Sequence, residues 1–205
     1  HRHDRESCKP GCNPPGGKTM GYFVYGTNGD DSLTGGATAD HIDLLDGNDT
    51  YFGDNGSDVI YGGSGDDSIA GGNGSDHIFG GTDNDTLIGA CGHDRLFGEE
   101  GNDLLDGGNA NDSLVGGIGD DTLLGGLSND TLVGGSNEDT LDGGDGADLL
   151  DTGSGDDFAE GGDGNDTLIG DKGADTLIGG TGDDWMRGGT ENDVMTGGAG
   201  ADTFY

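Results

Sequence analysis

The sequence predicts an all-β chain, a parallel β-solenoid of about ten 18-residue coils whose short strands stack into two parallel sheets. Three observations predict it. An Asp recurs every nine residues, at Asp31, Asp40, Asp49, Asp58, Asp67, Asp76, Asp85, Asp94, Asp103, Asp112, Asp121, Asp130, Asp139, Asp148, Asp157, Asp166, Asp175, Asp184, Asp193 and Asp202, with no insertion or deletion between units. Two residues after each Asp stands one apolar residue, from Leu33, Ile42, Tyr51 and Ile60 to Met186, Met195 and Phe204. Counting that Asp as the sixth place of a nine-residue unit, Gly fills the first place in eighteen of twenty units, and the second and fourth in fourteen each. One apolar residue in nine suits neither a helix nor an alternating strand, so the period is itself the architecture.

Two segments divide the chain. Residues 1–21 are a non-repeat N-terminal arm holding all three prolines and most of the Lys and Arg. Within it Lys9-Pro10-Gly11-Cys12 suits a type II turn that would bring Cys8 near Cys12, and a small disulfide loop is the preferred reading. A zinc site built from His1, His3, Cys8 and Cys12 fits the ligand chemistry at an unusual spacing, and a free tail with reduced thiols is the plain alternative. Residues 22–205 are the repeat domain, opening with Phe23-Val24-Tyr25 in strand phase.

Each unit resolves into a turn and a strand. Glycines at fixed places imply dihedrals or close approaches that a Cβ forbids, so the first six residues are expected to form a tight turn. The next three, such as Thr167-Leu168-Ile169, are β-branched or apolar and read as a short strand whose middle side chain points inward. Turn plus strand reverses direction, two units close one coil, and the inward residues form two ladders, one through Leu33, Tyr51 and Ile69, the other through Ile42, Ile60 and Ile78. Two buried apolar side chains per eighteen ordered residues cannot offset the backbone entropy of ordering them, so the turns must contribute stability as well.

Composition narrows the chemistry of those turns. Only 28% of the 205 residues are hydrophobic, 50 are Gly, and 42 acidic against 7 basic side chains give a formal charge of -35. Such a chain self-repels, while its strict period argues against plain disorder, so its fold is expected to depend on something cationic. Nucleic acid is excluded as a partner by charge, and no apolar run of about 18 residues predicts membrane insertion. The N-terminus has no apolar signal core, and the chain begins at His1, as a processed or trimmed chain would. Three cysteines, Cys8, Cys12 and Cys91, are too few for a disulfide framework.

Stacking sets carboxylates of one side roughly 4.8 Å apart, where they repel unless a cation lies between them. Asp carboxylates with backbone carbonyls form a hard-oxygen set that suits Ca²⁺, with about 6–8 oxygens, better than the stricter, more hydrated Mg²⁺. Third-place residues Asn28, Asp46, Asn55, Asn73, Asn109, Asp145 and Asp163 offer further oxygens. Ten turns per side leave nine gaps per side, so about 18 calcium ions carrying about +36 would nearly cancel the formal charge.

In these features the sequence resembles the RTX (repeats-in-toxin) family, whose nonapeptide Gly-Gly-x-Gly-x-Asp-x-(large apolar)-x is matched in full at residues 62–70, 71–79, 143–151 and 161–169. The resemblance implies a right-handed parallel β-roll loaded with calcium, secretion from a Gram-negative bacterium by a type I exporter, and folding outside the cell. Departures fall at Leu44-Leu45, in place of the glycine pair, and at Thr38, Asp83, Ala110, Ser128, Asn137 and Glu191, in place of the fourth glycine. Those turns are expected to bind more weakly. A C-terminal secretion signal of the family's kind does not follow Phe204-Tyr205 in this sequence, as in a mature, trimmed or excerpted piece.

No nucleophile–base pair stands out, so no catalysis is expected. His41, His77 and His93 read as scattered surface residues, and Trp185 as an outward or end-packing aromatic. Open strand edges at Phe23-Val24-Tyr25 and Phe204-Tyr205 point to a homo-oligomer stacked head to tail into a filament, matrix fibre or surface layer. The alternatives are a repeat block of a larger secreted enzyme or toxin, or an adhesin segment. Tyr61, Phe79, Phe97, Val115 and Val133 make an outward apolar stripe on one sheet. Ser32, Thr50, Ser68, Thr86, Thr122, Thr140 and Thr176 on the other read either as an ice-binding face or as plain strand propensity.

Overall fold

A computed structural model describes residues 23–205. Twenty-one strands, β1 (Phe23–Tyr25) to β21 (Thr203–Phe204), follow one another without a helix among the described residues. Odd-numbered strands form an eleven-stranded sheet and even-numbered strands a ten-stranded one. Every pairing is parallel in an i to i+18 register, as in Ile60↔Ile78 and Leu105↔Leu123. The expected solenoid of about ten coils is therefore the fold, and short turns suffice between strands because each strand is followed by one on the opposite sheet.

All strands but the first and the last are longer than three residues. A typical one, β17 (Thr167–Lys172), takes in both places of the glycine pair and ends at the third place of the next unit, leaving only Gly173, Ala174 and Asp175 as the turn. The difference has a physical source. The second and third places of most units keep the parallel register with the coil 18 residues away, as in Gly117↔Gly135 and Ile118↔Ser136, so the ladder runs on past the glycine pair instead of ending in a local turn.

One column of side chains on each sheet fills the interior. Ile42, Tyr51, Ile60 and each eighth-place residue through Met186 are buried, with Val24, Leu33 and Met195 packed against them near the ends. Leu44 and Thr152, the two residues in place of a first glycine, are also buried. Thr152 satisfies its hydroxyl by donating to the Gly170 carbonyl at 2.9 Å.

Outside, the stripe predicted on one sheet stands on the eleven-stranded face, where Tyr61, Phe79 and Phe97 stack ring on ring at 4.8 and 4.9 Å. The Ser/Thr column occupies the ten-stranded face, interrupted by Leu104, Phe158 and Val194. Trp185 packs its ring 5.3 Å from that of Tyr205. The Cys8–Cys12 loop and the His1, His3, Cys8, Cys12 zinc alternative lie outside the described residues. Cys91, at the end of β8 (Thr86–Cys91), is disulfide-bonded.

Candidate metal centre

The twenty sixth-place aspartates form two columns, one down each edge of the roll, at the last residue of each turn. From Asp40 to Asp184 all seventeen are buried, while Asp31, Asp193 and Asp202 at the ends are half-exposed. Each carboxylate is oriented by the coil before it. The Asp166 backbone N–H donates to Asp184 Oδ1 at 2.9 Å, Asp148 N–H to Asp166 Oδ1 at 2.8 Å, and the same bond closes every step of both columns.

The second oxygen is left over. Sixteen Oδ2 atoms, on every column residue from Asp49 to Asp184, are buried and have no hydrogen-bond partner. Fourteen of them lie over the first glycine of their own unit, Leu44 and Thr152 taking that place for Asp49 and Asp157: a Cβ on Gly161 would stand 2.5 Å from Asp166 Oδ2 and 2.6 Å from the Gly179 carbonyl oxygen. That is the local reason for the first glycine, which holds an ordinary φ. The second and fourth places need the left-handed region instead, as at Gly162 (φ 104°) and Gly164 (φ 148°). Where those glycines are replaced the backbone keeps its course: Leu45, Asp54, Ala90, Glu99 and Asp171 at the second place, and Asp83, Ala110, Ser128, Asn137 and Glu191 at the fourth, all hold positive φ.

Electrostatics agree with the orphaned oxygens. Burial, outweighing the backbone hydrogen bond that opposes it, pushes Asp85 and Asp112 up to about 8. It pushes Asp121, Asp130 and Asp139 to about 7, and Asp58, Asp76, Asp94 and Asp166 to about 6. Stacked neighbours add repulsion, as Asp103 and Asp67 do at Asp85. These carboxylates are held in a place that disfavours their charge unless a cation shares it.

The third-place residues sit at strand ends, half-buried or exposed, and pair within their own column. Asn28 Nδ2 donates to Asp46 Oδ2, Asn73 Nδ2 to Asn55 Oδ1 at 3.1 Å, and Thr181 Oγ1 to Asp163 Oδ1 at 3.0 Å. Asn109 Nδ2 faces Cys91 Sγ at 3.9 Å. Asp145 and Asp163 are register partners. They are therefore brought to one another rather than into the buried aspartate column.

A second polar ladder escaped the reading of the sequence. At the fifth place the side chain accepts from the backbone of the following coil: Asn48 N–H donates to Asp30 Oδ1, Asp66 N–H to Asn48 Oδ1, Asn84 N–H to Asp66 Oδ1, and so on to Glu138 N–H and Asp120 Oδ1. On the other edge Ser57, Ser75 and His93 take the same rungs. Fifth- and sixth-place side chains thus cap turns in opposite directions along the roll. The signal was present as a column of mostly Asn, Asp and Ser at the fifth place.

Among the described residues no three His, Cys, Asp or Glu side chains converge as a metal cluster. A cation here would have few carboxylates on offer beside the backbone carbonyls, and a set of hard oxygens without sulfur or imidazole suits calcium. The buried, partnerless Oδ2 column fits such an ion, and bound calcium would supply the positive charge that column lacks. These features define a cation-binding repeat roll with its binding groups in the turns. The chain matches the RTX calcium-binding nonapeptide repeat, taken four copies at a time, in overlapping segments from residue 25 to residue 205. It belongs to that family. A comparison with curated proteins finds no match.

Proposed function

We propose that this chain is an extracellular structural protein whose roll folds as calcium fills the gaps between stacked turns, and whose rolls then assemble with further copies. The sixteen partnerless Oδ2 atoms carry the reading. A buried polar atom without a partner costs about 1–3 kcal/mol, and more for a charge, so sixteen of them exceed the net stability of an ordinary domain, about 5–15 kcal/mol. Ionised and without a cation, the columns would unfold the roll; with calcium they hold it together.

In this reading the sixth-place aspartates from Asp31 to Asp202 are the principal ligands, the third-place Asn and Asp residues give outer oxygens, and up to about 18 ions are bound. Millimolar extracellular calcium makes folding outside a Gram-negative cell, after type I export, the consistent order of events. The role is structural and not catalytic. Self-association is supported by exposed apolar side chains on the outermost strands, Phe23 and Tyr25 at one end and Val194 and Phe204 at the other.

Calcium counting by native mass spectrometry, with far-UV circular dichroism before and after chelation and negative-stain microscopy, tests this. About 18 ions, a β spectrum lost on chelation, and filaments or sheets at millimolar calcium are expected. An unchanged β spectrum after exhaustive chelation overturns calcium-dependent folding, and dispersed monomers at millimolar calcium overturn assembly.

A further inference from the structure

One inner residue differs in kind from all the others. Tyr51, in β4 (Thr50–Asp54), takes the eighth place between Leu33 and Ile69 of the same inner column, where every other residue ends in an apolar group. It is 1% exposed, and its hydroxyl is buried with no hydrogen-bond partner. Because a tyrosine is longer than Leu or Ile, its oxygen passes the core and reaches the turn at the edge of the roll. The position a Cβ on Gly35 would take lies 2.5 Å from the Tyr51 hydroxyl and 3.0 Å from Asp40 Oδ2, so these two oxygens are no more than 5.5 Å apart.

The turn they share is itself irregular. The strand leading into it, β2 (Ser32–Gly36), is one residue shorter than most. Thr38 replaces the fourth glycine there, and unlike the other non-glycine residues at that place it does not hold a positive φ. Its Oγ1 is a second buried hydroxyl without a partner. Asp40 Oδ2 differs from the regular column in accepting from its own turn, from Gly36 N–H at 3.1 Å, while Asp58 Oδ2 in the next coil is partnerless.

Two oxygens on one calcium ion stand at most about 5.2 Å apart, twice the longest usual Ca–O distance, which the separation here permits. We propose that the Tyr51 hydroxyl is an oxygen ligand of a calcium ion held at the Asp40 turn, so that this site has a ligand set different from the regular sites above it. The assignment rests on the calcium reading of the preceding section. It gives the roll one site whose occupancy a core side chain reports.

The test uses the full chain and its Tyr51→Phe variant, which removes the oxygen and keeps the ring. Native mass spectrometry of the variant, with circular dichroism to establish the fold at saturating calcium, is expected to count one ion fewer, or one ion bound about 10–100-fold more weakly. Tyr61→Phe, on the outer face, is the control and leaves the count unchanged. In the unmodified chain labelled with ¹³Cζ-tyrosine, exchanging calcium for strontium in the folded state is expected to move the Tyr51 resonance and leave that of Tyr61 in place. If Tyr51→Phe does not fold, that shift decides alone. Unchanged count and affinity in a folded Tyr51→Phe variant, or an unmoved Tyr51 resonance, overturns the proposal. A chain that binds no calcium at all overturns the calcium reading with it.

Discussion

Gly161 has no room for a methyl group, because the carboxylate of Asp166 lies where its Cβ would go. Gly161→Ala is therefore expected to displace a metal-facing oxygen as well as overpack the strand, lowering stability in calcium by about 1–3 kcal/mol. Chemical denaturation with calcium present measures it. Replaced glycines at the second and fourth places predict the opposite sign. Glu191 holds φ 87°, which strains a residue with a Cβ by about 1–2 kcal/mol, while Gly loosens the unfolded chain by about 0.5–1 kcal/mol. Glu191→Gly should thus stabilise the calcium-bound roll by about 0.5–1 kcal/mol, read from the same denaturation curve. Both glycine roles appear in the sequence as one word, Gly-Gly-x-Gly. Only the structure separates the glycine that makes room for a carboxylate from the two that carry the left-handed turn.

At the scale of a strand and its turn, the period located the eighth-place inner residues but not Leu44 and Thr152, and it placed the boundary too early. The pair of glycines looks like turn chemistry in a single unit, and becomes strand once a neighbouring coil offers its ladder. The aspartate columns were legible because twenty carboxylates at one phase have no apolar explanation. The opposed fifth-place ladder was not, because its residues vary among Asn, Asp, Ser and His, and their common act is visible only across 18 residues. The columns also give a pH dependence without calcium. The folded carboxyls stand at about 6 to about 8, above their ordinary 3.8, so folding takes up protons. Their stabilising contribution is complete below about pH 4 and disappears as pH rises through about 6–8. Circular dichroism of the calcium-free chain should gain β signal on acidification from pH 8.5 to 5 and lose it on return. A spectrum flat across that range would count against buried, uncompensated carboxylates.

For the whole molecule, a formal charge of -35 and an interior one side chain wide on each sheet make the proposed dependence on cations the property to measure. An expanded chain of this length has a radius of gyration of about 50 Å. Ten coils at roughly 4.8 Å make a compact rod of similar length but well under half that radius of gyration. Small-angle scattering should show this contraction on adding calcium. Magnesium at equal concentration should leave the chain expanded, since it demands a strict octahedron and keeps its waters. Contraction of equal size with magnesium would mean that bulk neutralisation, and not the shape of the turn, folds the roll.

The sequence by itself determined the coil, the two sheets, the inner columns and the columns of aspartate, because a strict nine-residue period admits few ways of stacking. Only the tertiary structure decided what each carboxylate does: one oxygen bound to the coil before it, the other buried and left for a cation. It also decided that the Tyr51 hydroxyl, indistinguishable in phase from a leucine, ends in the turn beside Asp40. Phase along a chain says which face a side chain takes. Where its last atom stops depends on the coil 18 residues away and on the length of the side chain, and both are settled by packing.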